Sequence, residues 1–235
     1  MPTPMLDLPP GAFNRADEVP DAQFYRSVRL VTHIDDRAIG AVTQLYREYF
    51  PPGGVILDLM SSWVSHLPPE VRYRRVVGLG MNSEELAANP RLDAYRVQDL
   101  NQRPQLPFVD GTFDAAGLCV SIQYLTRPVE VLREVGRVLR PGAPLVITFS
   151  NRCFPTKAVA IWLTLDDAGH GHLVERYLQA AGNWTAIERL DRSPGRQDDW
   201  RTRAQNHDGQ DEDGGSAVDP LFAVVARRAP EQAPE

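Results

Sequence analysis

The chain has 235 residues, 43% of them hydrophobic, and a net charge of −6. That length suits one α/β domain with extensions, and the acidic balance argues against a sequence-independent nucleic-acid binder, because phosphate backbones need a basic face. Two cysteines give no disulfide framework or metal cluster, no apolar run reaches the roughly 18 residues of a membrane span, and no export signal opens the chain, so a cytoplasmic protein without a membrane partner is expected.

Residues 1–21 hold Pro2, Pro4, Pro9 and Pro10 without any period, which predicts a flexible arm ahead of a single domain over 22–230. Asp35 or Asp36 is placed to cap a helix whose apolar face is Ile39, Val42, Leu45, Tyr46, Tyr49 and Phe50. Pro51-Pro52-Gly53-Gly54 stops it. Val55 to Leu59 reads as a buried strand, and a crossover helix is expected after it despite Pro68-Pro69. Arg75 to Leu79 is a second strand. Asn82 with Glu85 resembles a capping box for a short helix.

Tyr95 to Val97 is a third strand. Ala115 to Ile122 is a fourth, apolar throughout, as a strand covered on both faces should be. Pro128 opens the next helix, with Val129, Leu132, Val135 and Leu139 on its inner face. Leu145 to Phe149 is the fifth strand. Helices are expected over Ala158 to Leu165 and His172 to Ala181, and late strands over Trp184 to Leu190 and Leu221 to Val225. Between the last two strands, 196–219 reads as an acidic mobile insertion, with Asp208, Asp211, Glu212 and Asp213 among glycines. The expected fold is a doubly wound, Rossmann-like α/β sheet of seven strands closed by an antiparallel C-terminal hairpin.

Two segments carry a family resemblance. Leu106-Pro107-Phe108-Val109-Asp110-Gly111-Thr112-Phe113-Asp114 precedes the fourth strand, and Leu132-Arg133-Glu134-Val135 through Arg140-Pro141-Gly142 precedes the fifth. Together they resemble the class I S-adenosylmethionine-dependent methyltransferases, most closely the type 11 branch. The resemblance implies S-adenosylmethionine as cofactor, S-adenosylhomocysteine as product, and a small-molecule methyl acceptor. It also implies an acid and a glycine-rich turn after the first strand. Asp58 stands at the acid, but Met60, Ser62 and Val64 stand at the glycines; Ser61 and Ser62 are expected to supply hydroxyl donors instead. The family's ribose-binding acid falls on Gly80, followed by Met81 and Asn82, with Asn82 the nearest substitute. The adenine-contacting segment falls on Asp99-Leu100-Asn101.

Methyl transfer needs alignment, exclusion of water and, for a protonated acceptor, a base. His33 with Asp35, and His66, are the candidate bases; each also reads as an ordinary histidine, with Asp35 a helix cap. Tyr25 and Gln123 are candidate substrate contacts, as are Asn151, Arg152 and Lys157 in the loop after the fifth strand. Cys153 in that loop, near Arg152 and a helix N-terminus expected at Pro155, is a candidate thiolate nucleophile; a small core residue is the alternative. Cys119 reads as core, and Trp63 as packing in the space the glycines left. His170 and His172 lack further ligands, so no metal is expected. Two other functions stay open: a methyltransferase-fold binding or scaffold protein without catalysis, and another enzyme on this fold that uses Cys153.

Overall fold

A computed structural model of the chain describes residues 6–195 and 218–230. Two helices lead in: the single turn α1 (Asp21–Phe24) and the longer α2 (Asp36–Tyr49). Then come β1 (Val55–Leu59), β2 (Arg75–Gly80), α3 (Ser83–Ala88), β3 (Ala94–Val97), β4 (Ala115–Cys119), α4 (Pro128–Val138) and β5 (Pro144–Phe149). After these lie α5 (Ala160–Leu163), α6 (Asp167–Ala181), β6 (Trp184–Asp191) and β7 (Phe222–Arg228). The strands form one sheet in the order β3-β2-β1-β4-β5-β7-β6. β1 to β5 pair in parallel, and β7 runs antiparallel to both β5 and β6. This is the expected Rossmann-like sheet with its terminal hairpin.

β1 is buried along its whole length, as its apolar run requires. Its side chains alternate between faces. Val55, Leu57 and Leu59 pack in the core layer that includes Val131, Leu132 and Val135 of α4 and Val174 and Leu178 of α6. Ile56 packs in the layer that includes Val42, Leu45 and Tyr46 of α2. Asp58 therefore shares the α2 side of the sheet. The segment before β4 acts as a staple: Asp114 accepts the Val55 amide at 2.8 Å and pairs with Arg140, while the Phe113 amide donates to the Val138 carbonyl at 3.0 Å. The resemblance motif thus fixes the β1–β4–β5 register.

Asp35 is the cap of α2, accepting the Ala38 amide at 2.8 Å. Asp166 caps α6, so that helix starts five residues before the expected His172. β4 stops at Cys119, and a 3-10 turn over Ile122–Tyr124 replaces the strand's expected end.

Two expectations are corrected. No helix follows β1. Distant side chains satisfy carbonyls of that crossover instead: Asn89 donates to Ser62, Arg91 to Pro68 and Val71, and Thr43 to His66. Nor is the described part of the N-terminal arm loose. The Ile161 amide donates to the Ala12 carbonyl, Ala160 to Asn14, and Asp17 to the Thr156 carbonyl, at 2.8–2.9 Å. The prolines and Gly11, whose φ is 79°, shape turns that dock the arm. Residues 1–5 and 196–217, the rest of the arm and nearly all of the acidic insertion, lie outside the described residues. Asp219, at the end of that predicted insertion, is buried and holds the Asp35 amide at 3.0 Å.

Candidate functional site

The carboxyl ends of β1, β2 and β4 open on a cavity of about 390 Å³. Its wall brings together the predicted cofactor segments: Asp58, Met60, Ser61 and Ser62 from β1; Gly80, Met81 and Asn82 from β2; Asp99, Leu100 and Asn101 after β3. Tyr25, His33, His66, Arg152 and Cys153 line it too. Gln123, Asn151 and Lys157 do not. Gln123 is buried, with its amide donating to the Val120 carbonyl at 2.8 Å. The Asn151 side chain accepts from Ser150 Oγ at 3.3 Å, outside the cavity wall.

The turn after β1 keeps a glycine-like path without glycine. Met60 sits at φ 54°, in the left-handed region that costs a side-chain-bearing residue about 1 kcal/mol. Beyond it, the Ser61 amide donates to the Leu79 carbonyl at 2.8 Å, which lays the turn across the end of β2. A Cβ added at Gly80 would lie 2.1 Å from the Ser61 carbonyl oxygen. The two departures from the family pattern are therefore one event: the β1 turn occupies the place of a side chain on β2.

The hydroxyls expected to face a ligand are turned to the protein. Ser61 Oγ donates to Asp58 at 2.6 Å, Ser65 Oγ to the same oxygen at 2.5 Å, and Ser62 Oγ to Glu85 at 2.7 Å. A carboxylate is a strong acceptor for a hydroxyl donor, which accounts for the short distances. Burial pushes the Asp58 carboxyl up to about 6, against the pull of the two serine hydroxyls.

Asn82 is also committed. Its oxygen caps α3 by accepting the Glu84 and Glu85 amides, and its nitrogen donates to the Tyr25 and Arg26 carbonyls. Glu85 does not complete the capping box; its carboxylate accepts the Arg29 amide at 2.8 Å and Ser62. Trp63, expected as packing, donates to the Val31 carbonyl at 2.9 Å. These bonds hold segment 25–34 over the cavity mouth. Tyr25, in that segment, has its phenol pushed up mainly by burial, with Tyr124 and Asp21 adding to the rise. Asp99 accepts the Asn101 amide and the Gln102 side chain, both at 2.9 Å, and so shapes its own turn.

At the mouth, the His33 ring lies edge-on to Phe154 with centroids 5.3 Å apart. Dehydration there lowers its pKa, with Glu85 opposing and Arg29 assisting. Asp35 does not orient this ring: besides capping α2 it accepts the Asp219 amide at 2.7 Å. Burial alone lowers His66, which sits at φ 50°. Both imidazoles are thus neutral near pH 7.

Cys153 is not an activated thiolate. Burial raises its pKa, Arg152 pairs with Asp219 at 2.9 Å, and no helix begins at Pro155. Cys119 behaves as core, its thiol pushed up to about 12 by burial. Lys157 is fully buried, donates to the Asp17 and Val19 carbonyls, and pairs with Asp17 at 3.5 Å and Asp21 at 3.3 Å. It anchors the N-terminal segment rather than facing a ligand. Among the described residues no cluster of three His, Cys, Asp or Glu could hold a metal, and no helix is long and apolar enough to cross a membrane.

Three groups lining or supporting the site escaped sequence reasoning. Ser65 shares Asp58. Arg29 lies over the Phe24 and Phe154 rings at 4.9 and 5.8 Å. Glu85 had the one available signal, its capping-box spacing, and that pointed elsewhere.

A family model described as a methyltransferase domain matches residues 61–147. The ubiquinone/menaquinone biosynthesis C-methyltransferase UbiE of Roseobacter denitrificans is 50% identical over 42 residues, 18% of this chain and 17% of that protein. The chain thus matches about a sixth of that relative's length. The [4+2]-cyclase SpnF superposes with a TM-score of 0.54 at 17% identity, over 80% of each chain. Phosphoethanolamine N-methyltransferase 2 of Haemonchus contortus, solved with S-adenosyl-L-methionine, superposes with a TM-score of 0.52 at 15% identity, over 81% of this chain and 52% of that one. These structural likenesses speak to fold. The match over residues 61–147 and the fold likeness together make this chain similar to methyltransferase domains on a Rossmann-like sheet.

Proposed function

We propose that the protein binds S-adenosylmethionine in the 390 Å³ cavity and transfers its methyl group to a small-molecule acceptor by in-line displacement. One observation carries the reading: Asp58, the end of β2 and the Asp99-Leu100-Asn101 turn, read from sequence as cofactor segments, all face a single cavity at the carboxyl edge of the sheet. The residues there fit the cofactor's charge. Asp58, Glu85 and Asp99 surround a space suited to a cation carrying an ammonium group. Asp58, once ionised, is the acceptor for that ammonium, and the Asp99 turn offers an acceptor and backbone edge to adenine. Bound there, the cofactor supplies an electrophilic methyl on a sulfonium. The chain's own work is to align the acceptor, exclude water beneath segment 25–34, and take a proton where the acceptor carries one. His33 is the base at the mouth, neutral near pH 7 and edge-on to the Phe154 ring, which itself packs against Phe24 and Tyr124. The UbiE match supports a small-molecule acceptor.

A second reading rests on the committed hydroxyls of Ser61 and Ser62: a domain that keeps the cofactor site but uses it for binding, or for another reaction, as the SpnF fold likeness allows. One experiment separates them. The protein is incubated with methyl-tritiated S-adenosylmethionine and a deproteinised cell extract. Label moving into new small-molecule products, and lost in Asp99→Ala, supports methyl transfer. Cofactor bound but returned unchanged overturns it in favour of the second reading.

A further inference from the structure

The cavity wall carries the carboxylates of Asp21, Asp58, Glu85 and Asp99. A ligand with a vicinal diol needs two acceptor oxygens side by side, and a carboxylate is the side chain that offers them. β2 cannot supply one, because any side chain at Gly80 meets the Ser61 carbonyl at 2.1 Å. Asp21 is taken by a bidentate Arg15 at 2.7 and 2.9 Å, by Lys157 and by Asn101. Asp58 lies on the α2 side and holds two hydroxyls on one oxygen. Asp99 is assigned above to the adenine edge, and its Oδ1 already accepts two donors, the Asn101 and Gln102 amides, so it does not offer two open oxygens. Glu85 remains. It stands five residues past Gly80, and each oxygen carries one protein bond, Oε1 from the Arg29 amide and Oε2 from Ser62 Oγ. An ionised carboxylate accepts about four hydrogen bonds, so each oxygen keeps a free site.

We propose that Glu85 on α3 is the diol-accepting carboxylate of this cavity, in place of a residue at the end of β2. The inference rests on the adenosyl-binding reading above. The Arg29 and Ser62 bonds fix the carboxylate before a ligand arrives, which removes a side-chain ordering cost from binding. They also tie the diol site to segment 25–34, since the Arg29 amide belongs to it.

The test is calorimetric titration of the full chain with S-adenosylhomocysteine, adenosine and 2′,3′-dideoxyadenosine. Wild type is expected to bind adenosine at least tenfold more tightly than the dideoxy analogue. Glu85→Ala is expected to lose that preference, with adenosine weakened to the dideoxy level and dideoxyadenosine changed less than threefold. Glu85→Gln, which keeps one acceptor oxygen and the helix, is expected to fall between; it also serves if the alanine variant does not fold. A structural role alone would weaken both nucleosides equally. Wild type that binds S-adenosylhomocysteine without diol preference, or a folded Glu85 variant that keeps the full preference, overturns the inference and leaves the cofactor reading standing. Wild type that binds none of the three ligands overturns both.

Discussion

Asp58 is held in a place that works against its charge. Its carboxyl is pushed up to about 6 by burial, from an ordinary value near 4. The native state therefore holds the proton more tightly than the unfolded chain does. Stability from this group is fully present below about pH 4 and declines as pH rises through about 6. That interval is worth about 3 kcal/mol. Asp58→Asn keeps an oxygen for Ser61 and Ser65 and removes the charge. It is predicted to raise unfolding free energy at pH 7 by about 1–3 kcal/mol and to flatten its slope between pH 4 and 6, read by urea denaturation across pH. An unchanged slope would show that Asp58 does not titrate there. A group kept at such a cost inside a cavity points to a ligand that uses it.

Gly80 and Met60 make the complementary case. Gly80→Ala puts a Cβ 2.1 Å from backbone that cannot swing away. It is predicted to lower stability by about 2–4 kcal/mol, with thermal denaturation as the readout. Met60→Gly relieves about 1 kcal/mol of left-handed strain and loses a similar amount of partly buried side chain and chain entropy. Its stability is predicted to stay within about 1 kcal/mol of wild type. A large loss would mean that the thioether, not the backbone path, holds the turn.

At the scale of elements, the N-terminal segment and the loop after β5 form one clamp around Lys157, the only lysine in the chain. Lys157→Met leaves Asp17 unpaired and Asp21 dependent on Arg15 and Asn101. It is predicted to cost about 3 kcal/mol and to speed amide exchange over residues 12–25. Exchange rates equal to wild type would contradict the clamp. Asn82→Ala removes a cap worth about 1 kcal/mol and the bonds to the Tyr25 and Arg26 carbonyls. Faster exchange in segment 25–34 is the expected result.

Elements fixed by neighbours in sequence were legible: the Asp35 cap and Pro128 at the start of α4. The crossover after β1 was not, because its carbonyls are satisfied by Asn89, Arg91 and Thr43 from other parts of the fold. Glu85 was misread for the same reason. Its local spacing suggested a cap, while its partners Arg29 and Ser62 lie 56 and 23 residues away. Lys157 and Arg152 looked alike in one loop; burial against Asp21 and exposure beside Asp219 separate them.

At the scale of the whole molecule, the sheet order decides where chemistry can sit. The chain builds outward from β1 to β3, then returns to place β4 on the other side of β1. The connections diverge at the β1/β4 boundary, which leaves a crevice at the carboxyl edge. The alternation of strands and helices and the closing hairpin made this architecture legible, and the register of Asp58, Gly80 and Asp99 located the crevice. What sequence could not reveal is how the crevice is finished. The β1 turn closes over Gly80, Glu85 stands at that wall, and Trp63, Asn82 and Glu85 hold segment 25–34 across the mouth. Among the four lining carboxylates, Asp99 is the one read directly as an adenine contact.

Calorimetric titration with S-adenosylhomocysteine tests the central claim most directly. A one-to-one complex of micromolar affinity is expected, weakened at least tenfold in Asp99→Ala and tightening as pH rises through about 6, where Asp58 ionises to receive the ligand's ammonium. No heat of binding at millimolar ligand, or affinity indifferent to Asp99→Ala, would contradict it.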